Sequence, residues 1–370
     1  MRIGIDARSL HHEGVGRYIR ELIRHLARID RENEYVVYFK SKESIIEEIV
    51  EFPNFRADVL PVSIYDLYKQ PYLWYRFYKD GLDIFHATDH WLVPFLTPCP
   101  LVITVHDTLA KTERKSISRK AAAYGAFIAR IALFVSDVVL TVSDFTKKEI
   151  IDIYPRAQRK LSVIYHGVGM EFMPVPESES DRIREKYRLT KSYLLYVGSL
   201  KSHKNIPRLI EAFAGLPSEA RKDTDLIIAA RVETRFNETL KLPVKLGIEE
   251  SVRFIGYVPT ADLPGLYSGA TASIIPSFTE SFGLPIIEAM ACGTPVLASK
   301  GGALPEVGGD AALYFDPYTT DGIKDAILSV LKDDALRKRL SAGGLIRSGE
   351  FSWETTARRT LEIYEEFGKR

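Results

Sequence analysis

The chain has 370 residues, a formal net charge of +1 and 46% hydrophobic residues, so it is long enough for two globular domains. This charge balance gives no reason to expect a nucleic-acid partner. The two cysteines, Cys99 and Cys292, favour neither a disulfide framework nor a metal site and are typical of a cytoplasmic protein. The sequence enters a strand at Arg2 and has no apolar run of about 18 residues, so we expect neither a signal peptide nor a membrane span.

The first half alternates short apolar runs with longer helical patterns, which predicts a parallel α/β domain. Strands are predicted at 35–39, 101–105 and 138–142, and the first helix is predicted after Gly16. The loop from Gly14 to Arg17 would then lie between strand and helix, where glycines let backbone N–H groups approach an anion. A nicotinamide site is not indicated, because the segment from Asp6 to Gly14 is too long for the tight Rossmann turn.

Several other features of the first half are candidates for binding or chemistry. His106 ends the strand 101–105 at the edge where open α/β sheets place ligands, although a lone histidine is more often structural. His86 and His90 are four residues apart, but nearby prolines favour a loop, and we predict no metal site. Aromatic residues crowd 65–78 and basic residues crowd 111–120. For the aromatic segment, core packing is the plainer interpretation and stacking on a glycan is the alternative. For the basic segment, a solvated face is the plainer interpretation and contact with anionic lipid is the alternative.

A stretch rich in proline and acids at 170–180 is unsuited to a strand or helix, and we place the domain linker there. In the second half, strands are predicted at 193–197, 225–230, 252–255, 272–275 and 296–298, and helices at 206–213, 261–266 and 284–292. The simplest account is two doubly wound sheets in series, with a first domain over 1–168 and a second over 169–352.

The segment 277–288 is the most informative part of the chain. Backbone N–H groups at the start of the predicted helix, together with its dipole, would suit a phosphate. Glu280 lies in the loop before this helix and Glu288 about one turn inside it, so two carboxylates could reach opposite sides of one ligand. The plainer alternative is that both are solvated glutamates near a helix start, where acids are favoured anyway.

These features resemble the family 4 retaining glycosyltransferases, which carry a Glu, seven residues and Glu at this place. The other motifs of the resemblance are, in chain order, Ile3-Gly4-Ile5-Asp6-Ala7-Arg8, Gly14-Val15-Gly16-Arg17-Tyr18, Val105-His106-Asp107, Tyr196-Val197-Gly198 with Lys204-Asn205, and Phe351-Ser352-Trp353-Glu354. The resemblance covers nearly the whole chain. It implies the GT-B fold, in which two doubly wound Rossmann-like domains face each other across a cleft, and a C-terminal helix, 353–370, that packs back on the first domain.

The resemblance also implies roles for particular residues. His106 and Glu280 are expected at the donor sugar as the catalytic candidates, and Glu288 at the ribose hydroxyls. Ser199 stands where the family usually has an arginine, so one positive charge on the donor phosphates is missing, and Arg231 is the candidate replacement. The donor-binding residues expected in full are Gly16, Gly198, Ser199, Lys204, Arg231, Phe282, Gly283, Leu284 and Glu288.

The function implied is transfer of a hexose, with mannose first, from a nucleoside diphosphate sugar to a glycan or lipid-linked acceptor in surface polysaccharide or glycoconjugate synthesis. GDP-mannose is the expected donor, and neither a cofactor nor a metal is expected. The first domain would bind the acceptor in the cytoplasm, with peripheral contact to the inner face of an anionic membrane left open. The alternatives are a sugar-nucleotide 2-epimerase of the same fold and a non-catalytic module that binds a nucleotide sugar or glycan.

Overall fold

A computed structural model of the protein describes residues 1–62, 66–107, 119–233 and 236–368, with no account of the side chains of 13, 67 and 119–122. The chain separates into two compact units. The first consists of Met1–Gly167 with Ser352–Arg370, and the second of Val168–Phe351. Each unit is a Rossmann-like α/β domain built on a parallel sheet, which confirms the predicted fold class.

The first unit has a seven-stranded sheet in the order β3-β2-β1-β4-β5-β6-β7. Its strands are β1 (Arg2–Asp6), β2 (Glu34–Phe39), β3 (Phe55–Val59), β4 (Ile84–Ala87), β5 (Leu101–Val105), β6 (Val138–Thr141) and β7 (Leu161–Val163). The helices between them are α1 (Glu13–Ile29), α2 (Ile45–Ile49), α3 (Gln70–Asp80), α4 (Arg119–Val135) and α5 (Asp144–Ile153). The central strands β4, β5 and β6 are buried throughout, as expected for a sheet covered by helices on both faces.

The second unit has a six-stranded sheet in the order β10-β9-β8-β11-β12-β13. Its strands are β8 (Ser192–Val197), β9 (Thr224–Ala229), β10 (Val252–Phe254), β11 (Ala272–Ile275), β12 (Val296–Ser299) and β13 (Ala312–Phe315). Its helices are α6 (Glu177–Lys186), α7 (Ile206–Ala214), α8 (Ser218–Lys222), α9 (Asn237–Lys245), α10 (Leu263–Ser268), α11 (Leu284–Ala291), α12 (Leu304–Gly308), α13 (Thr320–Lys332) and α14 (Asp334–Ser348).

The C-terminal helix α15 (Trp353–Phe367) belongs to the first unit, where it packs along α1. Its buried face includes Trp353, Ala357 and Tyr364. The Tyr364 hydroxyl lies 2.6 Å from Nδ1 of His86 in β4, so the last helix is joined to the centre of the first sheet by a buried hydrogen bond.

Two local predictions are wrong. The stretch 170–180 is not free of regular structure, because α6 begins at Glu177 directly after Pro176. Its first turn carries acids and its last turn carries Arg184 and Lys186, which is the charge order that a helix dipole favours. The first helix starts at Glu13, so Gly14 and Gly16 lie within its first turn and not in a loop before it.

Candidate active site

The candidate site of the second unit lies where its strand order reverses, between β8 and β11. These two strands are parallel neighbours, with Ala272 opposite Leu194, so the loops that follow them leave the sheet at the same edge. The backbone N–H of Phe278, after β11, donates to the carbonyl oxygen of His203, after β8, over 2.8 Å. Ligands of open α/β sheets bind outside the carboxyl ends of the strands at such a reversal.

The pairing of Lys204 with Glu280 is the central feature of this edge. Nζ of Lys204 donates to both carboxylate oxygens of Glu280, at 2.7 and 2.9 Å, and the Ser277 hydroxyl donates to one of them at 2.6 Å. Both side chains are largely buried, with 20% of the lysine and 13% of the glutamate exposed. Burial alone would raise the pKa of Glu280, but the charge and hydrogen bonds of Lys204 and the Ser277 bond outweigh it and lower that pKa. Glu280 is therefore a carboxylate at neutral pH.

Neighbouring residues hold the two loops in place. Asn205 adopts the left-handed conformation, with a φ of 59°, and its amide donates to the carbonyl oxygens of Pro276 at 3.0 Å and Pro317 at 2.9 Å. The Ser299 hydroxyl donates to the carbonyl oxygen of Ser277 at 2.5 Å. Sequence reasoning missed Ser277 and Ser299. Ser277 stands three residues before Glu280, and that spacing was the available signal.

The helix start predicted to face a phosphate is formed by α11, which follows Gly283. Gly283 has a φ of 90°, a backbone conformation that favours glycine, and a Cβ there would lie 2.6 Å from Cδ2 of Leu304, so that side chain would have to shift. The ring of Phe282 is buried and packs edge-on against Phe351, with centroids 5.7 Å apart. Leu284 opens the helix, with proline in its first turn as predicted. The packing of Phe282 and the conformation of Gly283 thus set the path of the backbone at 282–284, next to Glu280.

Glu288 lies inside α11 and is 4% exposed. The hydroxyl of Tyr267, in α10, donates to its Oε2 at 3.3 Å. An ionised carboxylate only accepts hydrogen bonds, so the two hydroxyl groups of a ribose would match it as donors. The Tyr267 contact links two helices and was not foreseen, because it joins residues 21 positions apart.

The other predicted donor-binding residues lie near the same sheet edge. Gly198 follows β8, and the carbonyl oxygen of Ser199 accepts a hydrogen bond from the Tyr196 hydroxyl at 2.6 Å. Arg231 is exposed after β9, with its guanidinium 5.7 Å from the ring centre of Tyr257.

Sequence reasoning also missed a second cation, Arg208 of α7. Its guanidinium lies 5.4 Å from the ring centre of Phe278 and donates to the carbonyl oxygen of Pro317 at 3.0 Å. Arg208 therefore contacts the loop that carries Glu280, which Arg231 is not seen to do among the described contacts.

In the first unit, His106 follows β5 and is 9% exposed. Its Nε2 lies 2.9 Å from the carbonyl oxygen of Thr88, and since a carbonyl only accepts, Nε2 carries the proton. Burial outweighs the attraction of Asp89 and lowers the pKa of His106, so the ring is neutral at neutral pH and Nδ1 bears the lone pair. The Tyr18 ring packs edge-on against it, with centroids 4.9 Å apart. His106 is thus suited to accept a hydrogen bond from a hydroxyl.

Gly16 has a structural reason to be glycine. Its own N–H donates to the carbonyl oxygen of His12 at 2.6 Å, and a Cβ would lie 2.0 Å from the carbonyl oxygen of Leu10. Its N–H is therefore engaged within the first turn of α1. A donor contact at Gly16 stays a prediction.

Three remaining expectations concern the aromatic and basic segments of the first half, a metal site and a membrane span. Tyr65 and the basic segment 111–118 lie outside the described residues, as do the side chains of 119 and 120. Within the described ranges, no group of three or more His, Cys, Asp or Glu side chains is arranged to hold a metal ion. No helix in those ranges combines the length and apolar character that a membrane crossing needs.

Comparisons with known proteins place the chain among sugar-transferring enzymes. The model described as Glycosyltransferase Family 4 matches residues 12–172, and the model described as Glycosyl transferases group 1 matches residues 178–345. The O-antigen chain mannosyltransferase B of Escherichia coli is 33% identical over 371 residues, which cover 95% of this chain and 96% of that protein. The serotype-specific mannosyltransferase WbdA of Escherichia coli is 31% identical over 231 residues, which cover 61% of this chain and 28% of that protein.

Among solved structures, Anabaena HepE in complex with UDP and glucose matches with a TM-score of 0.81 at 19% identity, covering 99% of this chain and 100% of that one. At this identity the likeness concerns the fold alone.

Proposed function

The chain belongs to the family 4 glycosyltransferases, and we propose that it is a retaining enzyme that transfers mannose from GDP-mannose to a glycan or lipid-linked acceptor in surface polysaccharide synthesis. The choice of mannose rests on the relatives, both of which are named mannosyltransferases. The cytoplasmic location and the contact with the inner face of a membrane stay predictions of the sequence.

The observation that carries this proposal is the partly buried Lys204–Glu280 pair beside the start of α11. A sugar nucleotide presents a diphosphate, a sugar and a ribose. Lys204 and the backbone at Phe282–Leu284 offer positive charge and N–H groups to the diphosphate. Glu280 offers a carboxylate to the sugar hydroxyls and Glu288 to the ribose. We propose that the reaction needs no cofactor beyond the nucleotide sugar itself.

We derive the chemical step from these groups. The acceptor oxygen forms a bond to the anomeric carbon while the bond from that carbon to the phosphate oxygen breaks. The leaving diphosphate gains charge, which Lys204 and the helix start stabilise more strongly than in the ground state. The proton of the acceptor hydroxyl passes to a leaving phosphate oxygen on the same face, so the configuration is retained. Glu280 is not the nucleophile here, because Lys204 and Ser277 hold its carboxylate.

His106 has a positioning role in this account. Its neutral ring, with Nε2 bound to Thr88, leaves Nδ1 to accept a hydrogen bond from a hydroxyl of the transferred sugar. It does not act as a general acid at neutral pH. Its lowered pKa leaves Nδ1 without a proton, and the proton on Nε2 is donated to the carbonyl oxygen of Thr88.

The test is a panel of GDP-, UDP- and dTDP-sugars, followed by calorimetric binding and by release of nucleoside diphosphate without added metal. We expect one donor to bind tightly and to be hydrolysed slowly without an acceptor. Glu280→Ala should abolish release, and Glu288→Gln should weaken binding. Glu249→Gln, at an exposed glutamate of the same unit, is the control and should change neither. Silence of the wild-type protein across the panel, or full release by Glu280→Ala, would contradict the proposal.

A further inference from the structure

Helix α3 exposes an unusual set of aromatic side chains. Its buried face is formed by Leu73, Phe77 and Asp80. On the solvent side, tyrosine and tryptophan residues of α3 and of the turn before it are 38–76% exposed. We call this set the aromatic face of α3: Tyr68, Tyr72, Trp74, Tyr75 and Tyr78. Large contiguous patches of exposed apolar surface are rare on soluble proteins and mark sites of interaction.

The rings of this face form an ordered surface. Trp74 and Tyr78 are stacked, with ring centroids 5.3 Å apart and planes inclined by 5°. Tyr72 and Tyr75 are three residues apart and so are neighbours on the helix surface. Residues four apart are separated by about 6 Å along the helix axis, which is the scale of one sugar ring. The face therefore offers exposed flat rings along one side of the helix, including the outer faces of the stacked pair Trp74 and Tyr78.

The charges around this face are mostly neutralised. Lys69 pairs with Asp66 at 2.9 Å, and Arg76 pairs with Asp58 and, at 3.8 Å, with Asp80. The exposed residues of α3 are Pro71, Tyr72, Trp74, Tyr75, Tyr78 and Lys79, with no leucine, isoleucine or valine among them. A helix that lies in an anionic lipid surface pairs an apolar face of Trp, Phe or Leu with a polar face rich in free lysine and arginine. Helix α3 has one exposed cation, Lys79, because Arg76 is paired with Asp58 and Asp80. The composition of this face favours a neutral partner that carries many hydroxyl groups.

The position of α3 connects this face with the ligand edge of the first sheet. The helix follows β3, so its first turn lies at the carboxyl edge of the sheet. Oε1 of Gln70, at that turn, accepts a hydrogen bond from the backbone N–H of Phe95, in the loop after β4, over 2.8 Å. Because α3 leads back to the start of β4, Tyr68 lies toward the carboxyl edge of the sheet and Tyr78 toward the opposite edge.

We propose that the aromatic face of α3 binds a neutral glycan chain at a distance from its reacting end. This inference rests on the proposed function, in which a glycan is the acceptor. The C–H groups on one side of a hexose carry partial positive charge and pack against the negative face of an aromatic ring. Tyrosine and tryptophan lose little side-chain entropy on binding, and the tyrosine hydroxyls add hydrogen bonds to the sugar.

The test measures glycan binding without any donor. Mannan and dextran serve as neutral polysaccharide probes in affinity electrophoresis, and Tyr72→Ser/Tyr75→Ser and Trp74→Ala are compared with the wild-type protein. Phe134→Ser, at a residue of α4 that is 83% exposed, is the control for loss of an exposed ring in the same unit. Because two stacking contacts are lost, we expect the double variant to bind the polysaccharide about tenfold more weakly. The Phe134→Ser variant should bind like the wild-type protein.

Several outcomes would overturn the inference. Binding of neither polysaccharide by the wild-type protein, or equal binding by the double variant, would do so. The inference would also fail if the double variant bound polysaccharide like the wild-type protein but had lost self-association in ultracentrifugation or binding to phosphatidylglycerol vesicles. Release of nucleoside diphosphate from donor alone is measured in parallel. If glycan binding depends on the rings while no nucleotide sugar is consumed, the proposed function fails and this inference stands.

Discussion

Removal of the Glu280 charge should strengthen the binding of a bare nucleoside diphosphate. Lys204 donates to both oxygens of Glu280, at 2.7 and 2.9 Å. A diphosphate must therefore share or displace this carboxylate to reach the lysine. Glu280→Gln keeps the size of the side chain and its contact with Ser277 but releases Lys204 and removes a negative charge next to the phosphates.

The expected gain in affinity follows from the hydrogen bonds between Lys204 and Glu280. A hydrogen bond to a charged group contributes about 1.5–3 kcal/mol. Because 20% of Lys204 remains exposed, solvent screens part of this energy, and we expect the low end to apply. A gain of about 1.4 kcal/mol corresponds to tenfold tighter binding of GDP. Transfer should fall at the same time, because the carboxylate for the sugar is lost.

The assay is isothermal calorimetry with GDP and with UDP at fixed ionic strength. Lys204→Met should weaken binding about tenfold or more, and adding Glu280→Gln to it should give no gain, since the charge to be released is gone. Ser277→Ala removes one hydrogen bond to the same carboxylate but no charge, so it is the control and should change affinity little. Weaker binding of the preferred diphosphate in Glu280→Gln, or additive effects in the double variant, would refute the reasoning.

Three further predictions concern nucleotide binding by Glu288 and the stability of the two units. Glu288→Gln should weaken GDP binding about tenfold in calorimetry. Tyr267→Phe, which removes the 3.3 Å hydrogen bond to the same carboxylate but keeps its charge, should have a smaller effect; equal losses of affinity in the two variants would contradict a direct contact of Glu288 with the ligand. Gly283→Ala should lower the free energy of unfolding by about 3 kcal/mol in denaturant titrations, because of the φ of 90° and the contact with Leu304. Gly247→Ala, with a φ of 64° and open space, should cost about 1 kcal/mol, and similar values for the two would contradict this account. Burial lowers the pKa of His86 to about 3, so the unfolded chain binds a proton below about pH 6.5 that the folded chain excludes. The free energy of unfolding should therefore fall by about 2 kcal/mol from pH 7 to pH 5, and less in His86→Gln; a flat profile would count against it.

Much of the fold could be predicted because the buried strands are short apolar runs with clear ends. Strand 101–105, between Pro100 and His106, and strand 272–275 were predicted with the bounds that the structure has. The start of α1 was missed because Gly14 and Gly16 have the composition of a turn, whereas Gly16 is required by the close approach of Leu10. The start of α6 was missed because its prolines and acids were taken as breakers, although acids favour a helix start.

The candidate site was harder to predict than the fold. Motif spacing indicated Glu280, Glu288 and Lys204 separately, but the contact between Lys204 and Glu280 joins residues 76 positions apart. That contact depends on β8 and β11 being neighbours in the sheet, and no local pattern in a single sequence specifies that order. The neutral state of His106 could not be foreseen either, because it depends on burial and on the Thr88 carbonyl, both of which are tertiary properties.

The most direct test of the central claim is a proton NMR time course with the preferred nucleotide sugar and a glycan acceptor. The anomeric proton reports both where the sugar is attached and which configuration it has. The account predicts that the sugar leaves the nucleotide and appears on the acceptor with the configuration that it had in the donor. An inverted product, or a sugar that stays on its nucleotide with a changed configuration at C2, would contradict it.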